Sequence, residues 1–204
     1  MSIIVIRHGE TALNVARVLQ PADTPLSERG RRQAQALAQR FETAVFGALI
    51  SSDLPRAIET AQAIAAVTGK EIQPSPLLQE RNFGALRGTA YDTLNYDAIA
   101  MEEAPPDGES MPTVRERARQ AMIFLRATHA ALGRDLLVIS HGLFIRTMLA
   151  ENVAMPEGHS VPRRIDNTGI TIISSDSPHR ATVVNNTDHL SGDLRDDAVS
   201  LSGA

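Results

Sequence analysis

Three short, uninterrupted apolar runs constrain the fold of this chain more than any other feature of its sequence. They cover residues 3–6, 48–50 and 136–139, and no polar residue interrupts them. Runs of this kind are typical of strands that are buried on both faces, as in a parallel sheet. Helical patterns of apolar residues separate the runs. The order of elements therefore predicts an α/β fold, a three-layer sandwich in which helices flank a mostly parallel central sheet.

The predicted helices carry recognisable end signals. Ser27 is a good N-cap for a helix whose apolar face reaches Phe41. Gly69 is expected to end a helix over residues 54–68, and Gly133 to end a long helix further on. The remaining predicted elements are a short strand at Ile72, a helix from Gly142 to about Glu151, and strands over residues 170–173 and 181–184 that form a hairpin.

One segment departs from this regular alternation. Residues 87–112 are irregular and acidic, and they contain both tyrosines and the pair Pro105-Pro106. We interpret this segment as a small insertion, or lid, over the active site. The polar tail after Leu190 is expected to be frayed. The whole chain, residues 1–204, is predicted to be one domain with this insertion.

Composition narrows the classes of partner. The formal net charge of −4 provides no basic footprint for nucleic acid. The chain has no cysteine, which removes disulfides, thiolate zinc sites and cysteine nucleophiles. No apolar stretch is long enough to span a bilayer, and Met1–Ile6 does not resemble a signal peptide. We therefore expect a cytoplasmic protein without nucleic-acid or membrane partners. The oligomeric state stays open, with a homodimer among the options.

Polar residues follow three of the predicted strands directly, in segments 7–11, 51–56 and 140–142. Open α/β sheets bind ligands beyond the carboxyl ends of their strands, so these segments are candidates for the active site. They supply Arg7, His8, Arg56 and His141, with a glycine after each histidine. Arginine matches phosphate oxygens, and a neutral imidazole is a competent nucleophile.

A single histidine after a strand is more often a structural residue than a nucleophile. Two His-Gly pairs at separate strand ends, together with an arginine at a third, are harder to explain in that way. The other histidines lack this placement and are interpreted as surface or structural residues. They are His129, His159, His179 and His189.

The same segments carry a resemblance to a known family. The ordered blocks are Ile6-Arg7-His8-Gly9-Glu10-Thr11 with Asn14, residues 23–30, residues 51–61, residues 80–84 with Gly88, residues 140–142, and residues 185–190. Together they resemble the histidine phosphatase superfamily, in its phosphoglycerate mutase-like branch. The blocks cover nearly the whole chain in order, which makes the resemblance far more specific than an isolated Arg-His-Gly triplet.

The resemblance implies a role for each matching residue. His8 would be the nucleophile that becomes phosphorylated, and Glu80 would donate a proton to the leaving oxygen. Arg7, Arg56 and His141 would hold the phosphoryl oxygens. No metal ion and no other cofactor is implied. The further substrate-binding candidates are Asn14, Gln20, Arg81 and Gly142.

Two departures from the family pattern bear on the substrate. Gln20 occupies a position where the family often has a glycine. Residues 89–110 contain no lysine or arginine, whereas mutases of the family carry basic residues there. The acids of this segment would either repel an anionic substrate or simply face solvent. They are Asp92, Asp97, Glu102, Glu103, Asp107 and Glu109.

The resemblance and the acidic insertion favour a metal-independent phosphomonoesterase, a hydrolase that works through a phosphohistidine on a small phosphorylated metabolite. A cofactor-dependent phosphoglycerate mutase shares every core residue and is the main alternative. A phosphoprotein phosphatase, or a regulatory module that recognises phosphate, is the third.

Overall fold

The computed structural model describes residues 1–195, and these residues include a single six-stranded sheet. Its strands are β1 (Ser2–Arg7), β2 (Ala48–Ser51), β3 (Ile72–Pro74), β4 (Leu136–Ser140), β5 (Ile170–Ser174) and β6 (Ala181–Asn186). Their order across the sheet is β3-β2-β4-β1-β5-β6. The first four of these neighbours run parallel, whereas β5 is antiparallel to β1 and β6 is antiparallel to β5. The predicted mostly parallel sheet and the hairpin at its edge are both confirmed.

Helices cover both faces of this sheet. They are α1 (Ala12–Val15), α2 (Glu28–Phe41), α3 (Pro55–Thr68), α4 (Met111–Leu132) and α5 (Gly142–Asn152). Alternate residues of β1 enter two separate apolar clusters. Ile3 and Val5 pack with α4 and α5, whereas Ile6 packs with α2 and α3. This alternation follows from the two-residue period of a strand, and it produces the predicted three layers.

The helix ends follow the signals in the sequence. The Ser27 hydroxyl accepts a hydrogen bond from the backbone N–H of Gly30 at 3.0 Å, so it caps α2. Gly69 and Gly133 follow α3 and α4 with φ angles of 66° and 56°. This left-handed conformation is costly for other residues and is a common helix stop. The boundaries of the predicted helices therefore hold to within a few residues.

The insertion at residues 87–112 contains the short 3₁₀ turn Tyr91–Thr93 and runs into the start of α4. Arg81, whose side chain is buried, holds the insertion through hydrogen bonds. The Arg81 guanidinium donates to the backbone carbonyls of Met101 and Glu103, each at 2.8 Å, and of Glu109 at 3.0 Å. The insertion is thus tied to the residue beside Glu80.

Several acids of the insertion form ion pairs within the molecule. Asp92 pairs with Arg17 at 2.9 Å, and Glu109 pairs with Arg117 at 2.8 Å. Glu102 pairs with Arg115. These pairs form because the arginines lie on elements next to the insertion, which the sequence alone did not reveal. Asp92 and Glu102 still face solvent, which is one of the two expected arrangements, whereas Glu109 is largely covered.

The start of the tail is not frayed, so the prediction for residues 191–195 is wrong. Side chains of α2 bind this segment. Arg32 forms an ion pair with Asp193 at 2.8 Å, and Gln33 donates to the carbonyl of Leu194 at 2.8 Å. The rest of the predicted frayed tail, which includes Asp196 and Asp197, lies outside the described residues. None of the helices within residues 1–195 is long and apolar enough to cross a bilayer.

Candidate active site

Strands β1, β2 and β4 are parallel neighbours, so their carboxyl ends meet at one edge of the sheet. A cavity of about 470 Å³, counted with its opening to solvent, lies at this edge. Its lining residues are Arg7, His8, Asn14, Val18, Leu19, Gln20, Arg56, Glu80, Phe83, Ile99, Gly142 and Leu143. The topology therefore brings most of the predicted site residues together, as expected for an open α/β sheet.

His8 lies in this cavity with one ring nitrogen already occupied. Its Nδ1 is 2.6 Å from the carbonyl oxygen of Gly9. A carbonyl can only accept, so Nδ1 carries the proton and the Nε2 lone pair remains available. Burial, together with the charges of Arg56 and Arg7, holds the pKa of His8 well below its usual value of 6.5. His8 is consequently a neutral imidazole with a fixed tautomer, which is the form that can attack phosphorus.

His141 is close to His8 but differs in its surroundings. The two ring centroids are 5.1 Å apart, with the planes inclined at 58°. His141 is fully buried and does not line the cavity. Its Nε2 is 2.7 Å from the hydroxyl of Ser52, while Nδ1 has no hydrogen-bond partner among the described residues. Burial, and then the charge of Arg56, lowers the pKa of His141 well below 6.5.

Two buried arginines place positive charge beside His8. Arg7 donates through Nη1 to the carbonyl of Ile165 at 2.6 Å, which fixes one end of its guanidinium. Arg56, on the first turn of α3, makes only long contacts of 3.4 and 3.5 Å with the carbonyls of Pro21 and Ala22. Burial lowers the pKa of Arg56 to about 10, so it remains cationic at neutral pH. An anionic group in the cavity would meet two guanidinium groups that are already desolvated.

The backbone of His8 is held by a loop that precedes β5. The side-chain amide of Asn167 donates to the carbonyl of His8 at 2.9 Å, and the N–H of Thr168 donates to the carbonyl of Arg7 at 3.1 Å. The Thr168 hydroxyl is 2.9 Å from Nε2 of His189. No sequence signal pointed to Asn167. His189 was interpreted as a surface or structural residue, and its contact with the loop beside His8 is a structural role.

A second support comes from two glycines in contact. A Cβ atom on Gly9 would lie 2.5 Å from the carbonyl oxygen of Gly30, and one on Gly30 would lie 2.0 Å from the carbonyl oxygen of Glu10. No side chain fits at either distance. The loop after His8 therefore rests directly on the first turn of α2, backbone against backbone.

Glu80 is positioned by the start of α5. Its Oε1 accepts from the backbone N–H of Arg81 at 2.9 Å and of Phe144 at 3.0 Å, and its Oε2 accepts from the N–H of Leu143 at 3.1 Å. The first N–H groups of a helix lack partners within the helix, so they suit a carboxyl group. Oε2 accepts only one of these bonds and keeps a lone pair that can carry a proton.

The backbone that carries Glu80 is held in turn by Arg117 of α4. Its guanidinium donates to the carbonyls of Gln79 at 2.6 Å and of Leu77 at 3.2 Å, and it lies 4.6 Å from the ring centroid of Phe144. The role of Arg117 had no local signal in the sequence, because this residue lies more than 30 positions along the chain from the backbone that it holds.

The remaining predicted binding residues fall into two groups. Asn14, Gln20 and Gly142 line the cavity. Asn14 accepts from the N–H of Thr11 at 3.2 Å, and Gln20 accepts from the Thr11 hydroxyl at 2.8 Å, so both also shape the loop after His8. Arg81 does not line the cavity, because its donors are bound to carbonyls of the insertion. Its place is structural in this arrangement, and we do not carry it into the proposed site.

The fold agrees with comparisons to known proteins. The family model of the histidine phosphatase superfamily, branch 1, matches residues 3–188 of this chain. The phosphoglycerate mutase-like protein 4 of Arabidopsis thaliana is 34% identical over 83% of this chain and 77% of its own length. A probable phosphoglycerate mutase of Photorhabdus laumondii is 31% identical over 84% of this chain and 83% of its own length.

Solved structures give the same result. A mycobacterial glucosyl-3-phosphoglycerate phosphatase has a TM-score of 0.77 at 28% identity, covering 91% of this chain and 99% of that protein. A phosphoserine phosphatase from Entamoeba histolytica has a TM-score of 0.73 at 27% identity, covering 93% and 98%. The chain belongs to the histidine phosphatase superfamily. This confirms the predicted family, the fold class and the enzyme class of histidine-type phosphatases.

Proposed function

We propose that this protein is a metal-independent phosphomonoesterase that forms a phosphohistidine at His8 and acts on a small phosphorylated metabolite. The observation that carries the proposal is the state of His8. Its Nδ1 is bonded to the Gly9 carbonyl, its pKa is lowered, and it shares a cavity with Arg7 and Arg56. The two arginines supply the positive charge that phosphoryl transfer requires, so the proposed reaction uses groups of the chain itself.

The reaction would proceed in two in-line steps. In the first, Nε2 of His8 attacks phosphorus, the ester P–O bond breaks, and Glu80 gives its proton to the leaving oxygen. In the second, water attacks the phosphohistidine, the P–N bond breaks, and Glu80 takes the proton from that water. Arg7 and Arg56 would stabilise the charge on the equatorial oxygens in both steps.

A phosphoglycerate mutase is the second candidate, because the curated relatives above carry that name. It would return the phosphoryl group to another hydroxyl before water attacks. Against it stands the insertion, where residues 89–110 hold no lysine or arginine to bind a second acidic group. Interconversion of 2- and 3-phosphoglycerate, assayed with a bisphosphoglycerate primer, would favour the mutase. Release of inorganic phosphate without interconversion would favour the phosphatase.

The central test is a panel of phosphate esters assayed in EDTA. We expect release of inorganic phosphate and, after a rapid acid-free quench, a phosphoryl label on His8 that is labile to acid. Glu80→Gln should slow alkyl phosphates by about 10²–10⁴-fold but p-nitrophenyl phosphate much less, because that leaving group needs no proton. Glu103→Gln is the matched control, since Glu103 is exposed and does not line the cavity.

An inactive enzyme on every ester in EDTA would refute the proposal, and equal losses on both substrates would refute the role of Glu80. Two further predictions from the sequence stand beside this proposal. The substrate is a small molecule, with no nucleic-acid or membrane partner, and the protein is cytoplasmic. The oligomeric state stays open, with a homodimer among the options.

A further inference from the structure

The lining of the cavity combines two kinds of residue. One set consists of the charged and polar groups described above. The other set, which we call the apolar wall, consists of Val18, Leu19, Phe83, Ile99 and Leu143. All five residues line the same cavity as His8, and all but Val18 belong to one apolar cluster. An ester bound with its phosphate at His8 would therefore place its alcohol part against the apolar wall.

Two parts of the chain that contribute to the apolar wall, the loop after α1 and the insertion, are fixed to each other. The N–H of Gly88 donates to the carbonyl of Leu19 at 2.7 Å, and the N–H of Leu19 donates to the carbonyl of Thr89 at 3.0 Å. Arg17 binds both carboxylate oxygens of Asp92, at 3.0 and 2.9 Å. These contacts join the loop after α1 to the insertion. The wall is consequently formed in advance of any ligand.

The positive charge that lines the cavity comes from two of its polar residues. Within residues 1–195, Arg7 and Arg56 are the cationic side chains that line it. Arg146 lies in a neighbouring depression beyond Ile99 and Leu143, and its Nε and Nη1 have no access to solvent. A carboxylate or a second phosphate on the alcohol part would lose its water against apolar side chains without gaining a counter-charge. Such a loss strongly disfavours binding.

From this division we infer that the site selects phosphate esters whose alcohol part is apolar and uncharged, that is, alkyl or aryl phosphates. The inference rests on the proposed function, because it assumes that the phosphate binds at His8. It names Val18, Leu19, Phe83, Ile99 and Leu143 as the residues that determine specificity. It also accounts for residues 89–110, which carry acids but no lysine or arginine, since such a substrate needs no second anion site.

The first test compares two esters that differ in charge but have similar leaving groups. These are 4-ethylphenyl phosphate and 4-(carboxymethyl)phenyl phosphate. Their phenols have nearly the same acidity, so the chemical step is matched and the ratio of kcat/KM reports recognition. We expect kcat/KM for the ethyl compound to be at least about 10-fold higher, mainly through KM. Equal values, or a preference for the carboxylate, would overturn the inference.

The second test changes the charge of the wall. Val18 is half-buried in the cavity lining, whereas Val15 is exposed and lies outside it. Val18→Lys should reduce or reverse the preference for the ethyl compound, because it supplies the missing counter-charge. Val15→Lys adds the same charge nearby and should leave the ratio unchanged. An identical shift in both variants would show that net charge, and not the wall, sets the preference.

A milder variant guards against loss of folding. Ile99→Val removes one methyl group from the wall and should lower kcat/KM for the ethyl compound severalfold, with less effect on the carboxylate. No change in the ratio would count against the inference. Failure of the proposed function looks different, because then neither ester nor p-nitrophenyl phosphate would be hydrolysed. Turnover of p-nitrophenyl phosphate without the expected selectivity would overturn the inference alone.

Discussion

The ends of β1 and β4 look alike in the sequence but differ in the structure. Each strand is followed by a histidine and then a glycine, and both histidines are buried with a lowered pKa. His8 has Nδ1 bonded to a backbone carbonyl and lines the cavity. His141 has Nε2 next to the Ser52 hydroxyl, is fully buried and is not among the residues that line the cavity.

This difference shows that burial and pKa alone do not identify a nucleophile. The two rings differ in the kind of partner. A carbonyl only accepts, so it sets the tautomer of His8, whereas a hydroxyl can donate or accept and does not set that of His141. This difference supports the proposal that His8 is the nucleophile and that His141 acts beside it. Four predictions test the comparison, beginning with the one of largest effect.

Replacing each histidine by alanine should separate their roles. His8→Ala should reduce turnover by more than about 10⁴-fold and abolish the acid-labile phosphoryl label, because the nucleophile is gone. His141→Ala should cost about 10²–10³-fold but still allow labelling at His8. Single-turnover labelling with a radioactive ester measures both. Loss of the label in His141→Ala alone, with circular dichroism unchanged, would reverse the assignment.

Removing the hydroxyl beside His141 should have a smaller effect. Ser52→Ala leaves Nε2 of His141 without its partner at 2.7 Å and lets the ring change its orientation. We expect kcat to fall by about 10-fold, as for the loss of one buried hydrogen bond of about 1–1.5 kcal/mol. Ser51 is also buried, and its hydroxyl donates to the carbonyl of Ser52 at 2.8 Å but does not contact His141, so Ser51→Ala is the control for loss of a buried hydroxyl. A Ser52→Ala enzyme with wild-type kcat would show that the orientation of His141 does not matter.

Loss of the hydrogen bond that holds the backbone of His8 should affect kcat more than KM. Asn167→Ala removes the bond to the His8 carbonyl and should lower kcat severalfold, while KM changes little because the arginines remain. Asn152→Ala is the control, since its amide also donates to a backbone carbonyl, that of Met148, at the far end of α5. If the two variants lower kcat equally, Asn167 has only a general effect on stability.

The smallest predicted effect concerns stability against pH. Both histidines have a lowered pKa in the folded protein, so below about pH 6.5 the unfolded chain binds protons that the folded one does not. Stability is therefore complete above that pH and is lost as the pH falls. Each substitution, His8→Gln or His141→Gln, should reduce the slope by up to about 1.4 kcal/mol per pH unit. Urea unfolding between pH 5 and 8 measures the slope, and unchanged slopes would mean that the histidines are protonated in the fold.

Much of the fold could be predicted from the sequence because its signals are local. The apolar run before Arg7, the Ser27 cap and the stop at Gly69 each depend on a few neighbouring residues, and each lies where it was expected. The binding of residues 191–195 to α2 was missed. It depends on contacts such as that of Arg32 with Asp193, which are distant in sequence and have no periodicity.

The site shows the same limit. The groups at the strand ends were predicted because the sheet topology brings them together. Arg117 and Asn167 were missed, because each acts on a backbone carbonyl of a remote segment. Arg81 was expected among the substrate-binding residues, yet its guanidinium binds carbonyls of the insertion. The sequence predicts which element carries a residue, but it does not predict which groups the end of a long side chain contacts.

The contact between Gly9 and Gly30 has a consequence for how this architecture tolerates change. Since neither position can accept a methyl group, no single substitution or pair of substitutions there is silent. A deep mutational scan should therefore find no tolerated substitution at either position, although Gly30 lies on a helix, where alanine is ordinarily favoured. In a search for distant members, a glycine in the first turn of that helix would be as informative a marker as the Arg-His-Gly triplet itself.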